Sequence, residues 1–89
     1  MSEIKIKKPT EEELETLKVK TWNTWEKEVS EFNWDYVTKE TCYLTEGEVE
    51  AKLNNNIYKF GKGDLVEFPQ GVTVTWKVIK PVKKHYWFG

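Results

Sequence analysis

Glu40, Cys42 and His85 are the side chains of this chain best suited to carry a reaction. A carboxylate enclosed by apolar residues can act as a general acid or base. A thiol can act as a nucleophile or a soft ligand, and imidazole is the side chain whose ordinary titration lies nearest neutrality. Cys42 is the only cysteine and His85 the only histidine. Glu40 and Cys42 are two residues apart, so on a strand they share a face. If His85 joins them, one cavity would hold a thiol, a carboxylate and an imidazole, enough for covalent chemistry or a single metal ion. Each also has a plain structural reading. Glu40 can be a carboxylate bonded to Tyr or Trp or paired with Lys, Cys42 a small apolar filler, and His85 a packed ring bonded to a carboxylate.

Trp34, Tyr36 and Trp76 form a second group. Together they can wall a pocket for a small planar or sugar-like molecule, with the Tyr36 hydroxyl and Glu40 fixing its orientation. Val74 lies two residues before Trp76 and shares its face. The plain alternative is that these residues simply fill the core.

The elements that must position these groups are mostly strands. Thr10 and Glu13 have the spacing of a capping box, so a short helix starts after Pro9, with Leu14 and Leu17 at helical spacing. Residues 25–31 are polar and read as a strand or an edge loop. Residues 32–38 alternate, with Phe32, Trp34 and Tyr36 on one face. Residues 41–45 have strand propensity and end at a Glu46-Gly47 turn. Residues 48–53 and 57–60 flank an Asn54-Asn55-Asn56 hairpin turn. Residues 65–68 stop at Pro69, and Asp64 bonds within its own turn. Residues 72–79 place Val74, Trp76 and Val78 on one face. Pro81 interrupts that run, and 82–88 supply a last strand. About eight short strands with frequent turns point to an all-β sandwich or barrel.

Composition narrows the function classes. Eighty-nine residues make one domain, 1–89, with a thin core. Five Trp, four Tyr and four Phe supply large apolar faces. Some of them must line a pocket or a subunit contact, so a homo-oligomer, at its simplest a homodimer, is expected. The net charge of −1 argues against nucleic acid as a partner. The lysines near the N-terminus read as a frayed end, and Lys83-Lys84-His85 reads as a solvated rim. No apolar run suits a membrane span or a signal core, so the expected location is cytoplasmic with no membrane partner.

The stretches Glu40-Thr41-Cys42-Tyr43-Leu44-Thr45-Glu46-Gly47 and Gly63-Asp64-Leu65-Val66-Glu67-Phe68-Pro69-Gln70-Gly71 resemble the two sequence motifs of the cupin superfamily. With Trp76-Lys77-Val78 and the tail Pro81-Val82-Lys83-Lys84-His85-Tyr86, residues 22–88 resemble small single-domain cupins grouped with the (S)-ureidoglycine aminohydrolase cupin domain. The resemblance implies a jelly-roll barrel (the RmlC-like cupin fold) with Glu40 pointing inward. In metal-binding members, histidines stand four and six residues before the glutamate and three residues after the second-motif glycine. Those positions are Tyr36, Trp34 and Val74 here, so neither a metal nor another cofactor is expected. The expected function is binding of a small polar or aromatic metabolite in an aromatic-lined cavity. Two alternatives stay open: a metal-independent or atypical-metal hydrolase or isomerase using Glu40 with Cys42 or His85, and an interaction protein with a filled barrel.

Overall fold

The computed structural model describes residues 3–89. The chain opens with strand β1 (Lys5–Lys7), helix α1 (Glu11–Leu17) and a 3₁₀ turn at Val19–Thr21. Six strands follow: β2 (Asn23–Lys27), β3 (Ser30–Tyr36), β4 (Glu40–Leu53), β5 (Asn56–Gly61), β6 (Leu65–Phe68) and β7 (Val72–Phe88). The capping box forms as its spacing predicts, with the Thr10 hydroxyl accepting from the Glu13 N–H and the Glu13 carboxylate accepting from the Thr10 N–H. No residue of α1 is buried, so the helix stays outside the core. Among the described residues, no helix is long and apolar enough to cross a membrane.

All strand pairs are antiparallel, and β4 and β7 run side by side down the middle. Because both are long, each belongs to two layers. The first half of β4 and the second half of β7 sit in a layer ordered β1-β6-β4-β7-β2. The second half of β4 and the first half of β7 continue into a layer flanked by β5 and β3. The inner faces of the two layers meet in a core containing Leu44, Val49, Val66, Phe68, Val74, Trp76, Val78 and Val82. This is the expected all-β jelly-roll architecture.

The sequence placed turns where the structure keeps two continuous strands. Glu46-Gly47 is an irregularity inside β4, and Pro81 lies inside β7. Three register shifts fall between Leu44 and Val49, at the level where the chain passes from one layer to the other. Inward residues of β4 are Glu40, Cys42 and Leu44 before this point, and Val49, Ala51 and Leu53 after it. An extra residue therefore switches the inward parity, as a β-bulge does. Proline is tolerated in β7 because it stands at this irregularity, where ladder bonding is already disturbed. Near the N-terminus, the expected frayed segment is instead strand β1, which pairs with β6 and closes one edge. The hairpin expected at Asn54-Asn55-Asn56 forms, but its turn is only Asn54-Asn55, both at positive φ, and Asn56 already belongs to β5, paired with Leu53 of β4.

Candidate functional site

Between the layers lies a cavity of about 120 Å³, open to the outside on one side. Its walls come from both layers: Phe32, Trp34, Tyr36 and Trp76 from one, and Trp25, Glu40, Lys84, Tyr86 and Phe88 from the other. Alternation explains the composition. Phe32, Trp34 and Tyr36 are successive inward residues of β3, and Lys84, Tyr86 and Phe88 continue the inward parity that Val74, Trp76 and Val78 set in β7. At the mouth, Trp34 is 42% exposed and Phe88 45%, whereas Tyr36, Glu40 and Trp76 at the floor are nearly sealed.

The aromatic rings brace one another. Trp76 meets Trp25 edge-on at 5.9 Å and stacks with Phe32 at 6.0 Å. Tyr36 stacks on Phe68 at 4.7 Å. Each such contact is worth about 0.5–1.5 kcal/mol beyond area burial, so the walls are held rigidly. The Trp76 Nε1–H donates to the Tyr36 hydroxyl at 2.9 Å. Burial, reinforced by the nearby charge of Glu40, holds the Tyr36 phenol far above its ordinary range. It is therefore a neutral hydroxyl at any physiological pH.

The floor carries an ion pair. Lys84 Nζ donates to Glu40 Oε2 at 2.6 Å, with both side chains buried. The same ammonium lies 4.7 Å from the ring centre of Trp76, 4.9 Å from Trp25 and 5.8 Å from Tyr86. Three π faces and one carboxylate thus surround it. Each well-placed face contributes about 0.5–2 kcal/mol, which helps offset the loss of water from the charge.

Glu40, Trp34, Tyr36 and Trp76 therefore come together as the sequence predicted, whereas Cys42, His85 and Val74 do not line the cavity. Cys42 is inward but packed behind the floor against Val66, its partner on β6, and is fully buried. Burial pushes its thiol up to about 12; the Glu40 charge adds to this and the Lys84 ammonium opposes it. It fills space as a neutral group. His85 is one residue out of phase with Lys84 and sits on the outer face of β7, between Thr24 and Tyr43. Its Nδ1 is buried without a hydrogen-bond partner. The thiol–carboxylate–imidazole grouping fails because strand alternation turns His85 away. Val74 is core.

Lys84 is the residue that sequence reasoning missed. In the sequence it reads as part of a solvated rim, but a signal is present: Val74, Trp76 and Val78 set an inward parity that Val82 and Lys84 share, with exposed Lys80 the exception beside Pro81. Phe32, on the face that alternation shares with Trp34 and Tyr36, is a further wall residue, and Trp25, Tyr86 and Phe88 are wall residues found only in the structure.

By the resemblance to metal-binding cupins, a metal would sit among positions 34, 36, 40 and 74. Positions 34, 36 and 74 carry an indole, a phenol already bonded to Trp76 and an isopropyl group. Glu40, the carboxylate that lines the cavity, already has a cation, the Lys84 ammonium. Among the described residues, no three His, Cys, Asp or Glu side chains cluster as a metal would require. The site does not fit a metal ion.

The thiol's burial has a measurable consequence. Cys42 is expected to resist iodoacetamide at pH 8 in the folded protein and to react at once in urea, read by mass spectrometry. Both Cys42 and Tyr36 have folded values above their unfolded ones, so their contribution to stability is complete below the unfolded thiol value near 9. It is then lost as pH rises from there toward 12, where the unfolded state releases protons that the folded state keeps. Urea midpoints taken across this range should fall. A midpoint unchanged up to pH 12 would contradict the burial assigned to both groups.

Residues 14–86 match the family described as the EutQ-like cupin domain. Among solved structures, the chain is similar to a DUF861 family protein of Thermotoga maritima. The two are 53% identical, with a TM-score of 0.95 over 98% of this chain and 100% of that one. It is also similar to the EutQ protein of Clostridium difficile, at 18% identity and a TM-score of 0.68, over 73% of this chain and 52% of that one. A putative ethanolamine utilization protein Q of Salmonella typhimurium is comparable, at 18% identity and a TM-score of 0.68, over 73% of this chain and 53% of that one. This chain spans about half the length of those two EutQ proteins, and the likeness to them is one of fold alone. No curated protein matches the chain.

Proposed function

This chain belongs to the EutQ-like cupin domain family, and from that premise we propose that its barrel is a binding site for a small polar molecule with a planar apolar body. The observation that carries the reading is the cavity itself, with an ion pair at the floor and aromatic walls up to the mouth. A core that was merely filled would have no reason to keep a desolvated Glu40–Lys84 pair beside an opening. The volume of about 120 Å³ sets the scale. An engineered apolar cavity of about 150 Å³ accepts benzene, so the enclosed part of the ligand is no larger than one ring. Drug-sized sites begin at about 300 Å³, so a larger ligand would have to extend past Trp34 and Phe88. Within the floor, Tyr36 offers a neutral hydroxyl, Lys84 a charged donor and Glu40 an acceptor. These suit a ligand bearing a carbonyl, hydroxyl or amide group.

Hydrolysis of the (S)-ureidoglycine aminohydrolase kind is not part of this reading, because the donor set does not fit the metal that would activate water. Catalysis by Glu40 with Cys42 or His85 is also set aside, because the thiol is sealed and the imidazole faces outward.

The five tryptophans make an internal control. Trp25, Trp34 and Trp76 line the cavity, whereas Trp22 and Trp87 do not. Titration of labelled protein with benzamide, benzyl alcohol and benzoate, followed by the indole N–H signals, is expected to move the first three and leave the other two. Trp34→Ala should weaken binding about tenfold, a loss of ~1.4 kcal/mol, with little change in fold because Trp34 stands at the rim. His85→Ala should leave affinity unchanged. Equal shifts at all five indoles, or none at millimolar probe, would sink the reading.

A further inference from the structure

We propose that Lys84 is a nucleophilic amine that captures small aldehydes or ketones as imines, with Glu40 as its proton partner. The inference rests on the binding-site reading above and names the substrate class of that site. The chain has fourteen lysines and no arginine. Among the described residues, Lys84 is the one lysine that is buried, and it is also the one that lines the cavity. Thirteen lysines thus remain available to water, while this one is kept within reach of a ligand and shielded from solvent.

The surroundings of Nζ put a proton acceptor and a ligand-sized space beside the same nitrogen. Its one hydrogen-bond partner among the described residues is Glu40 Oε2 at 2.6 Å, within direct proton-transfer distance. Its remaining neighbours are the faces of Trp25, Trp76 and Tyr86, which hold a cation but cannot accept a proton. The contact with Glu40 gives the Nζ proton a direct path to an acceptor, and its return restores the pair. Lysines enclosed in ligand cavities are the ones proteins use for Schiff-base chemistry. A purely structural pair would need neither a cavity beside the nitrogen nor aromatic walls sized for a ring.

The chemistry balances without an added oxidant or reductant. The Lys84 ammonium passes a proton to Glu40, and its lone pair attacks the carbonyl carbon. A C–N bond forms as the C=O π pair moves to oxygen, where the neutral Tyr36 hydroxyl can donate a hydrogen bond. The oxygen takes the proton held by Glu40. A second proton, from nitrogen by way of Glu40, lets it leave as water. The product is a protonated imine whose positive charge replaces the original ammonium against the Glu40 carboxylate. Ammonium plus carbonyl gives iminium plus water, and the net charge of the floor is unchanged.

The test uses the whole chain with benzaldehyde and sodium cyanoborohydride at neutral pH, followed by peptide mapping. Lys84 is expected to gain the N-benzyl group about tenfold faster or more than any other lysine, equivalent to ~1.4 kcal/mol of barrier. Benzyl alcohol, which fits the same space but forms no imine, should slow that labelling. Lys84→Arg, which keeps the charge but cannot form the imine, should leave only the slow surface reaction. If that variant does not fold, the map of the unaltered protein still decides the matter. Indole shifts with benzyl alcohol but no preference for Lys84 would overturn the imine and leave the binding site standing. Absence of both the shifts and the preference would overturn the two together.

Discussion

Replacing Lys84 with methionine is expected to lower folding stability by about 3–5 kcal/mol, because it leaves the Glu40 carboxylate buried without its cation. For a domain of this size each kcal/mol moves the melting temperature by roughly 4–8 °C, so the midpoint should drop by more than about 12 °C. Glu40→Met alone should act similarly by stranding the ammonium, although the Trp25, Trp76 and Tyr86 faces retain some hold on it. The double variant is the informative one. Removing both charges in favour of apolar groups of similar volume is often neutral or stabilising, so most of the loss should return. Urea unfolding of the four proteins gives the coupling energy directly. If the double variant is as stable as the parent yet no longer moves its indole signals with benzamide, the pair is retained for the ligand rather than for the fold. If each single variant loses less than about 1 kcal/mol, the pair is not desolvated as the structure has it.

Gly47→Ala is expected to be the second most damaging single change, at about 3 kcal/mol or more. Gly47 has φ of +104°, where a side chain is strained whatever the space around it. A Cβ there would also meet the Pro81 carbonyl oxygen at 2.5 Å and Val82 Cα at 2.8 Å, both backbone atoms that cannot turn aside. The strained conformation contributes about 1–3 kcal/mol and the overpacking a similar amount. The contrast is Gly71→Ala, where φ is also positive but nothing lies within 4 Å of the added carbon. That substitution should carry only the conformational term. Similar midpoints for the two variants in urea would mean that β4 and β7 are not packed backbone to backbone at Gly47 and Pro81.

The two substitutions probe different levels of one design. Gly47 lets two long strands cross from layer to layer in contact, and that crossing sets which residues face inward. Once the parity is set, β7 delivers Lys84 to Glu40, and β3 delivers Trp34 and Tyr36 opposite them. In this member of the cupin fold, an internal lysine ammonium rather than a metal ion faces the inward glutamate.

The sequence by itself determined what depends on local and periodic physics. Alternation of apolar residues identified the strands around Phe32–Tyr36 and Val74–Val78, and the Thr10–Glu13 spacing identified the helix cap. The resemblance carried by the motif glycines and Glu40 implied the barrel and its inward carboxylate, and the aromatic residues at 34, 36 and 76 offered a wall. Only the tertiary structure decided which groups meet. Gly47 and Pro81 read locally as turns, because glycine and proline break ladders; here each lies opposite the other, and the strands bend and continue. That continuity fixed the phase of residues 82–88, sending Lys84 inward and His85 outward. A run of Lys-Lys-His carries no local mark of which member is buried, since burial of this lysine depends on Glu40 from β4 and Trp25 from β2 arriving beside Trp76 and Tyr86 of its own strand. Partners forty residues away in sequence are set by register, and register is a property of the whole sheet.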